Sequence, residues 1–266
     1  MHLALTTLLN RMDSAALDGT SVIKWGAPVP SFGDLFSSLV ATVGLNPSNR
    51  EFVDAAGQEL CDGDRRFHTL GSLGLDTWSD ADTRHVQLIL RSCRTYFRNN
   101  PYDRWFKKLD QIVCGTAFSF YTELYPACHL DLIPYATTTK WMDLDQRERT
   151  ALLDATADVL GLLLRDSPVR VVILNGKTVV QQFQYIAGTV LDQKEMTHWS
   201  LPRESGCDIS GFAYVGSVQR LADVRLNRDI LVLGYNHNVQ SSFGVTTEAI
   251  HAIRDWVATQ TDGVLR

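Results

Sequence analysis

Hydrophobic positions along the 266-residue chain follow two spacings. Four short runs, 38–43, 128–133, 169–174 and 229–233, end in turn residues, and three of them carry Val, Ile or Leu on consecutive positions. Unbroken apolar character of that kind suits strands buried on both faces of a parallel sheet. Between the runs the spacing becomes helical. Residues 144–164 put Ala151, Leu152, Ala155, Val159, Leu162 and Leu163 on one face behind Asp143, the expected N-cap. Another helix opens at Thr246 or Thr247, with Glu248 in its first turn, and runs through Ile250, Ile253 and Trp256. Leu5, Leu8, Leu9, Met12 and Ala16 predict an N-terminal helix within about residues 1–20. Strands alternating with helices predict an α/β sandwich around a central, mainly parallel four-stranded sheet, with functional loops at the carboxyl ends of the strands. One domain spanning 1–266 is expected. Residues 188–216 lack periodicity and read as an insertion between the third and fourth strands, either a flap facing the substrate or a surface excursion.

A hydrophobic fraction of 45% is ample for a core. No apolar run approaches the ~20 residues that span a bilayer, and the N-terminus lacks a basic start and a cleavage signature. A cytoplasmic protein without membrane contact is the expectation. The five cysteines (Cys61, Cys93, Cys114, Cys128, Cys207) are scattered with no C-x-x-C pair. They encode neither a disulfide framework nor a metal site, and mostly buried, reduced thiols are expected. The net charge of -5 argues against a protein that coats nucleic acid. Between residues 91 and 108, however, Arg91, Arg94, Arg98, Arg104, Lys107 and Lys108 face a lone acid, Asp103, with Tyr96, Phe97, Tyr102, Trp105 and Phe106 interleaved. Such a segment steers a polyanion, or is a solvated helix whose aromatics face the core.

Asn175-Gly176-Lys177-Thr178 imitates the tail of a phosphate-binding loop, but the required upstream glycine is replaced by Val171, inside a strand. An NTPase is excluded. The residues after the four strands are Gly44-Leu45-Asn46-Pro47-Ser48, Asp131-Leu132-Ile133-Pro134-Tyr135-Ala136-Thr137, Asn175-Gly176-Lys177, and Gly234-Tyr235-Asn236-His237-Asn238-Val239-Gln240-Ser241-Ser242. In this ordered set the chain resembles the uracil-DNA glycosylase superfamily, whose first motif is a G-x-[ND]-P turn and whose last is a short His- or Asn-containing loop. The resemblance runs from about Val22 to Trp256 and includes "PVPSFGD" and "RRFHTLGSL".

It implies a three-layer α/β/α sandwich and a monofunctional glycosylase that acts as a monomer on DNA, double- or single-stranded, and needs no cofactor or metal. Cleaving an N-glycosidic bond builds positive character on the sugar and negative charge on the departing base, so a water must be placed on one side and hydrogen-bond donors on the other. By the resemblance Asn46 orients the water, and His237 or Asn238 donates to the base oxygen at ring position 2. Phe67, flanked by Arg65, Arg66 and His68, is the candidate to stack on a flipped base, with Trp141 as a second; either residue also suits the core. Arg65 and Arg66, together with Lys140 and Lys177 near strand ends, suit contact with DNA phosphates, and no lysine is presented as a Schiff-base nucleophile. Gln240, Ser241 and Ser242 occupy the loop that in relatives penetrates the duplex, without the leucine wedge.

Two residues bear on the base. Uracil-specific relatives carry a tyrosine after the motif proline, where this chain has Ser48, and an asparagine where it has Asp131. Ser48 leaves space at carbon 5. A carboxylate only accepts hydrogen bonds, which suits a cytosine amino group and repels a uracil carbonyl. The expectation is excision of a 5-substituted cytosine, such as glucosylated 5-hydroxymethylcytosine in phage DNA, as in the superfamily's phage-defence branch. Alternatives are removal of uracil or mismatched thymine, and a catalytically silent module that binds DNA or a nucleotide.

Overall fold

The structure, a computed structural model, describes residues 2–98, 103–202, 206, 208–240, 242 and 244–265. Its centre is one six-stranded sheet formed by β1 (Val40–Gly44), β2 (Ala127–Asp131), β3 (Val171–Asn175), β4 (Asp192–Glu195), β5 (Phe212–Leu221) and β6 (Val224–Tyr235), in the order β2-β1-β3-β6-β5-β4. The first four in that order are mutually parallel; β5 and β4 extend the sheet antiparallel beyond β6. The expected four strands are therefore the parallel part of a larger sheet.

Residues 188–216 hold β4 and the first half of β5, so at both ends the segment is part of the sheet and not a surface excursion. Their pattern is silent for a physical reason. β4 reads Asp-Gln-Lys-Glu, exposed at all four positions, and its charges guard the sheet edge against pairing with other chains.

Among the described residues seven α-helices accompany the sheet: α1 (His2–Met12), α2 (Leu70–Leu73), α3 (Thr83–Thr95), α4 (Asp103–Val113), α5 (Gln146–Arg165), α6 (Lys177–Ala187) and α7 (Thr247–Thr261). Asp145, not Asp143, caps α5, accepting from the Glu148 N–H at 2.7 Å. Thr246 caps α7 through the Ala249 N–H.

Side chains alternate across the strands. Ala41, Val43, Leu130, Val172, Leu174 and Val232 face an aliphatic layer supplied by α1, α5 and α6. Val40, Val171, Ile173, Leu233 and Tyr235 face an aromatic-rich layer under α4 and α7. Helices thus cover both faces. Each fully buried Leu, Ile, Val or Phe contributes ~1.5–3 kcal/mol. A two-pronged ion pair, Arg11 Nη1 and Nη2 to Asp158 at 2.7 and 2.9 Å, ties α1 to α5.

Among the described residues no helix is long and apolar enough to cross a membrane. Of the four described cysteines, Cys93 and Cys128 are buried and Cys61 and Cys114 exposed, so burial is less general than expected. Cys207 lies outside the described residues.

Candidate active site

Because the four parallel strands end on one edge, their following turns converge there. They surround a cavity of about 390 Å³, within the ~300–1,000 Å³ typical of small-ligand sites. Asn46, Pro47 and Ser48 form one wall with Glu51. His129 and Asp131 come from β2, Asn175 from β3 and Asn238 from the turn after β6, while Phe32, Trp105, Phe106 and Trp141 supply apolar surface. A neighbouring hollow of about 380 Å³ lies against the same turn and is lined by residues 46–50 and 137–141; Asn46, Ser48 and Lys140 touch both spaces.

Asn46 is held in one orientation. Thr137 Oγ1 gives its proton to the Thr139 carbonyl at 2.6 Å, so it accepts from Asn46 Nδ2 at 2.9 Å. The same Nδ2 donates to the Pro47 carbonyl at 3.1 Å. With its donor end occupied, the amide presents Oδ1 as an acceptor. The turn that opens with Gly44 thus serves to fix an amide at the mouth of the cavity.

Strand register builds the floor. β1 and β2 pair Thr42 with His129 and Gly44 with Asp131, and residues two apart on a strand share a face. The Thr42 hydroxyl lies 2.7 Å from His129 Nδ1, and His129 Nε2 lies 3.4 Å from Asp131 Oδ1. Gly44 is required beneath them, since a Cβ there would collide with Asp131 Oδ1 and come within 2.9 Å of His129 Nε2.

Glu51, like His129, is a lining residue that the sequence did not single out. It is 3% exposed, and its Oε1 accepts from the Tyr96 hydroxyl at 2.9 Å. Among the described residues Oε2 has no hydrogen-bond partner. Burial pushes the carboxyl up to about 8; Tyr96 and Arg66 pull it down and Asp131 pushes it further up. Glu51 therefore carries a proton at neutral pH. Three residues past Ser48, on a turn without periodicity, it had no sequence signal beyond proximity to the first motif.

The remaining expected site residues divide. Asn238 lines the cavity, its Oδ1 accepting from the Gln240 N–H at 3.1 Å. His237 does not line it: the ring is buried, and Nε2 donates to the Trp199 carbonyl at 2.8 Å. Burial lowers its pKa, which keeps the imidazole neutral.

Phe67 is 1% exposed within the aromatic layer, stacked on Tyr96 at 5.4 Å and edge-on to Phe32 at 5.5 Å. It has no free face for a base. Trp141 does line the cavity, as do Phe32, Trp105 and Phe106. Arg65 and Arg66 are half-buried; Arg66 donates to the Arg50 carbonyl and its charge acts on Glu51, so it works inside the fold. Lys140 and Lys177 are exposed, Lys140 at the cavity rim.

Gln240 turns inward, its Oε1 accepting from Asn175 Nδ2 at 2.6 Å. The Ser242 N–H returns to the Asn238 carbonyl at 2.8 Å, and Ser241 lies outside the described residues. In the basic segment, Arg91, Arg94, Arg98, Arg104 and Lys107 are exposed while Tyr96 and Phe106 are buried, which agrees with either reading of the segment; Tyr102 lies outside the described residues.

Among the described residues no cluster of three or more His, Cys, Asp or Glu could hold a metal ion. Compared with known proteins, the chain matches no family model and no curated protein.

Proposed function

We propose that the chain is a monofunctional DNA glycosylase that hydrolyses the N-glycosidic bond of a flipped, 5-substituted cytosine and leaves an abasic site. The observation that carries this reading is the position of Asn46, whose fixed amide stands between two hollows. The inner one is walled by aromatic rings and polar groups that suit a base. The outer one, with Arg50, Lys140 and the Thr138 and Thr139 hydroxyls, suits the sugar-phosphate chain. A glycosidic bond lies at just such a boundary.

In this mechanism Asn46 Oδ1 accepts from the attacking water and aims it at the anomeric carbon. Positive character grows on the sugar as the bond stretches. Asn238 donates from its amide to the oxygen at ring position 2, where negative charge collects on the departing base. Asp131 accepts from the cytosine amino group, with His129 and Thr42 holding the carboxylate in place. Water is thereby directed to one end of the breaking bond and hydrogen-bond donors to the other.

The experiment is a panel of single- and double-stranded oligonucleotides carrying glucosylated 5-hydroxymethylcytosine, cytosine, uracil, or thymine opposite guanine, with abasic sites read by strand cleavage. Modified cytosine should be released fastest. Ser48→Tyr should abolish excision of bulky substrates, and Asp131→Asn should shift preference toward uracil, because an amide donates as well as accepts. Robust uracil release with no activity on any cytosine derivative would overturn the reading.

A further inference from the structure

Three arginines between residues 91 and 98 have no task in the mechanism above, and the fold gathers them around a hollow of their own. It measures about 470 Å³, within the ~300–1,000 Å³ typical of small-ligand sites. Phe36, which lines it, sits in the turn just ahead of β1, at the amino-terminal end of that strand, whereas the cavity around Asn46 opens beyond the carboxyl-terminal end. Among the described residues none lines both spaces.

Spacing along the chain builds the wall. Arg91 and Arg94 on α3, and Arg98 in the 3₁₀ turn that follows it (Tyr96–Arg98), stand three and four residues apart, so they share one face and all three line the hollow. Leu90 and Phe36 add apolar surface, and among the described residues no carboxylate lines it. In a chain whose net charge is -5 this is a local reversal of sign. The negative end of the α3 dipole accounts for the tolerance of cations there, although like charges repel at these spacings. It does not account for the concave wall that they form.

The pairing of these side chains leaves them able to take a ligand. Arg94 Nε lies 3.4 Å from Asp34 Oδ1, and its guanidinium carbon stands 5.4 Å from the centroid of the Phe36 ring, which is 44% exposed. A fork that uses the two Nη groups is compatible with an ion pair at Nε. Arg98 meets Glu123 at 3.2 Å with both side chains exposed, and a surface pair of that kind is readily given up. Arg91 is exposed on the same wall. Guanidinium groups present planar, charge-assisted donors that match phosphate oxygens, and three around one concave surface can surround a single anionic group.

We infer that this hollow is a second binding site, in which Arg91, Arg94 and Arg98 hold a phosphate-bearing ligand at the end of the sheet opposite the cavity. Phosphate of this chemistry has two sources, a free nucleotide or the backbone of a second DNA segment. Binding here is independent of base excision.

The test is isothermal titration calorimetry of the full chain with inorganic pyrophosphate, with a nucleoside diphosphate and with unmodified duplex DNA, on the parent and on Arg91→Ala, Arg98→Ala and Arg147→Ala. Arg147 is an exposed arginine of α5 and controls for the loss of one positive charge. Arg91→Ala and Arg98→Ala should each weaken binding by about tenfold or more, and Arg147→Ala by less than about twofold. Arg91→Lys, which keeps the charge and loses the fork, should fall between the parent and Arg91→Ala, and it carries the comparison if thermal melting shows that an alanine variant does not fold. Duplex that binds through Arg91 and Arg98 and displaces pyrophosphate would assign the site to a nucleic-acid backbone; pyrophosphate or nucleotide binding that duplex leaves unchanged would assign it to a small ligand. A parent that binds none of the three probes, or binding altered to the same extent by all three alanine variants, would overturn the inference.

Discussion

Along the β1–β2 half of the strand-end rim, Glu51, His129 and Asp131 line the cavity with ionisable groups, and among the described residues one Glu51 carboxyl oxygen is left without a partner. Along the β3–β6 half, neutral amides and an imidazole are joined to each other and to the backbone. Asn175 donates to Gln240 and accepts from the Val239 N–H, Asn236 accepts from the Phe212 N–H and donates to the Ser210 carbonyl, and His237 donates to Trp199. The buried groups without a partner among the described residues there, Gln240 Nε2 and the Tyr235 hydroxyl, are neutral, and burial holds the Tyr235 phenol in that form. Desolvation in the first half shifts the ionisation of a carboxyl that lines the cavity. In the second, hydrogen bonds make two loops rigid so that Asn238 reaches the cavity at a set angle. Gly176 allows this, with φ of +102° and Asn238 Cβ only 3.0 Å from where its own Cβ would stand.

The largest effect on that contrast should come from Asn46→Ala. Loss of the water-orienting acceptor should reduce the single-turnover rate by about 10²-fold or more with the fold unchanged by circular dichroism. A rate equal to the parent would remove Asn46 from the mechanism.

Next comes a pair of neighbours. Asn238→Ala should slow base release by roughly ten- to a hundredfold with little change in melting temperature. His237→Ala should do the reverse, lowering stability by ~1–3 kcal/mol through the orphaned Trp199 carbonyl and changing the rate only a few-fold. If the histidine variant proves the more damaging to catalysis, the division between the two halves is wrong.

The smallest effect on the rate accompanies a change in stability. The Glu51 carboxyl rises from its ordinary 4.5 to about 8 on folding, so the folded chain binds the extra proton between those values and stability falls as pH rises through that window. Glu51→Gln removes the ionisation. Its advantage over the parent should be small at pH 5 and grow to about ten degrees of melting temperature or more at pH 8, at roughly 2–4 °C per kcal/mol. A pH-independent difference would mean that Glu51 does not titrate in this range.

How legible was this arrangement beforehand? The parallel strands and the turn at Asn46 announce themselves because a strand buried on both faces must be apolar throughout, and because Gly44 and Pro47 punctuate its end. β4 was hidden, since an edge strand protected by charge carries no hydrophobic period. Phe67 beside two arginines looks like a stacking platform, but which ring faces a cavity depends on how Phe32, Tyr96 and Phe106 pack, a tertiary matter. His237 and Asn238 are adjacent and only the loop geometry separates their directions. Glu51 resembles any solvated acid in a loop until the fold closes over it.

Gly44 has one more implication, for how such a protein could change its preference over generations. It performs no chemistry, yet every side chain larger than hydrogen would displace the two groups above it, so this spot should be as intolerant in a saturation library as a reactive residue. Ser48 stands four positions on, exposed and at the rim, where size can vary without disturbing a strand. Adaptation to new ligands would then proceed by remodelling the rim over an immovable floor.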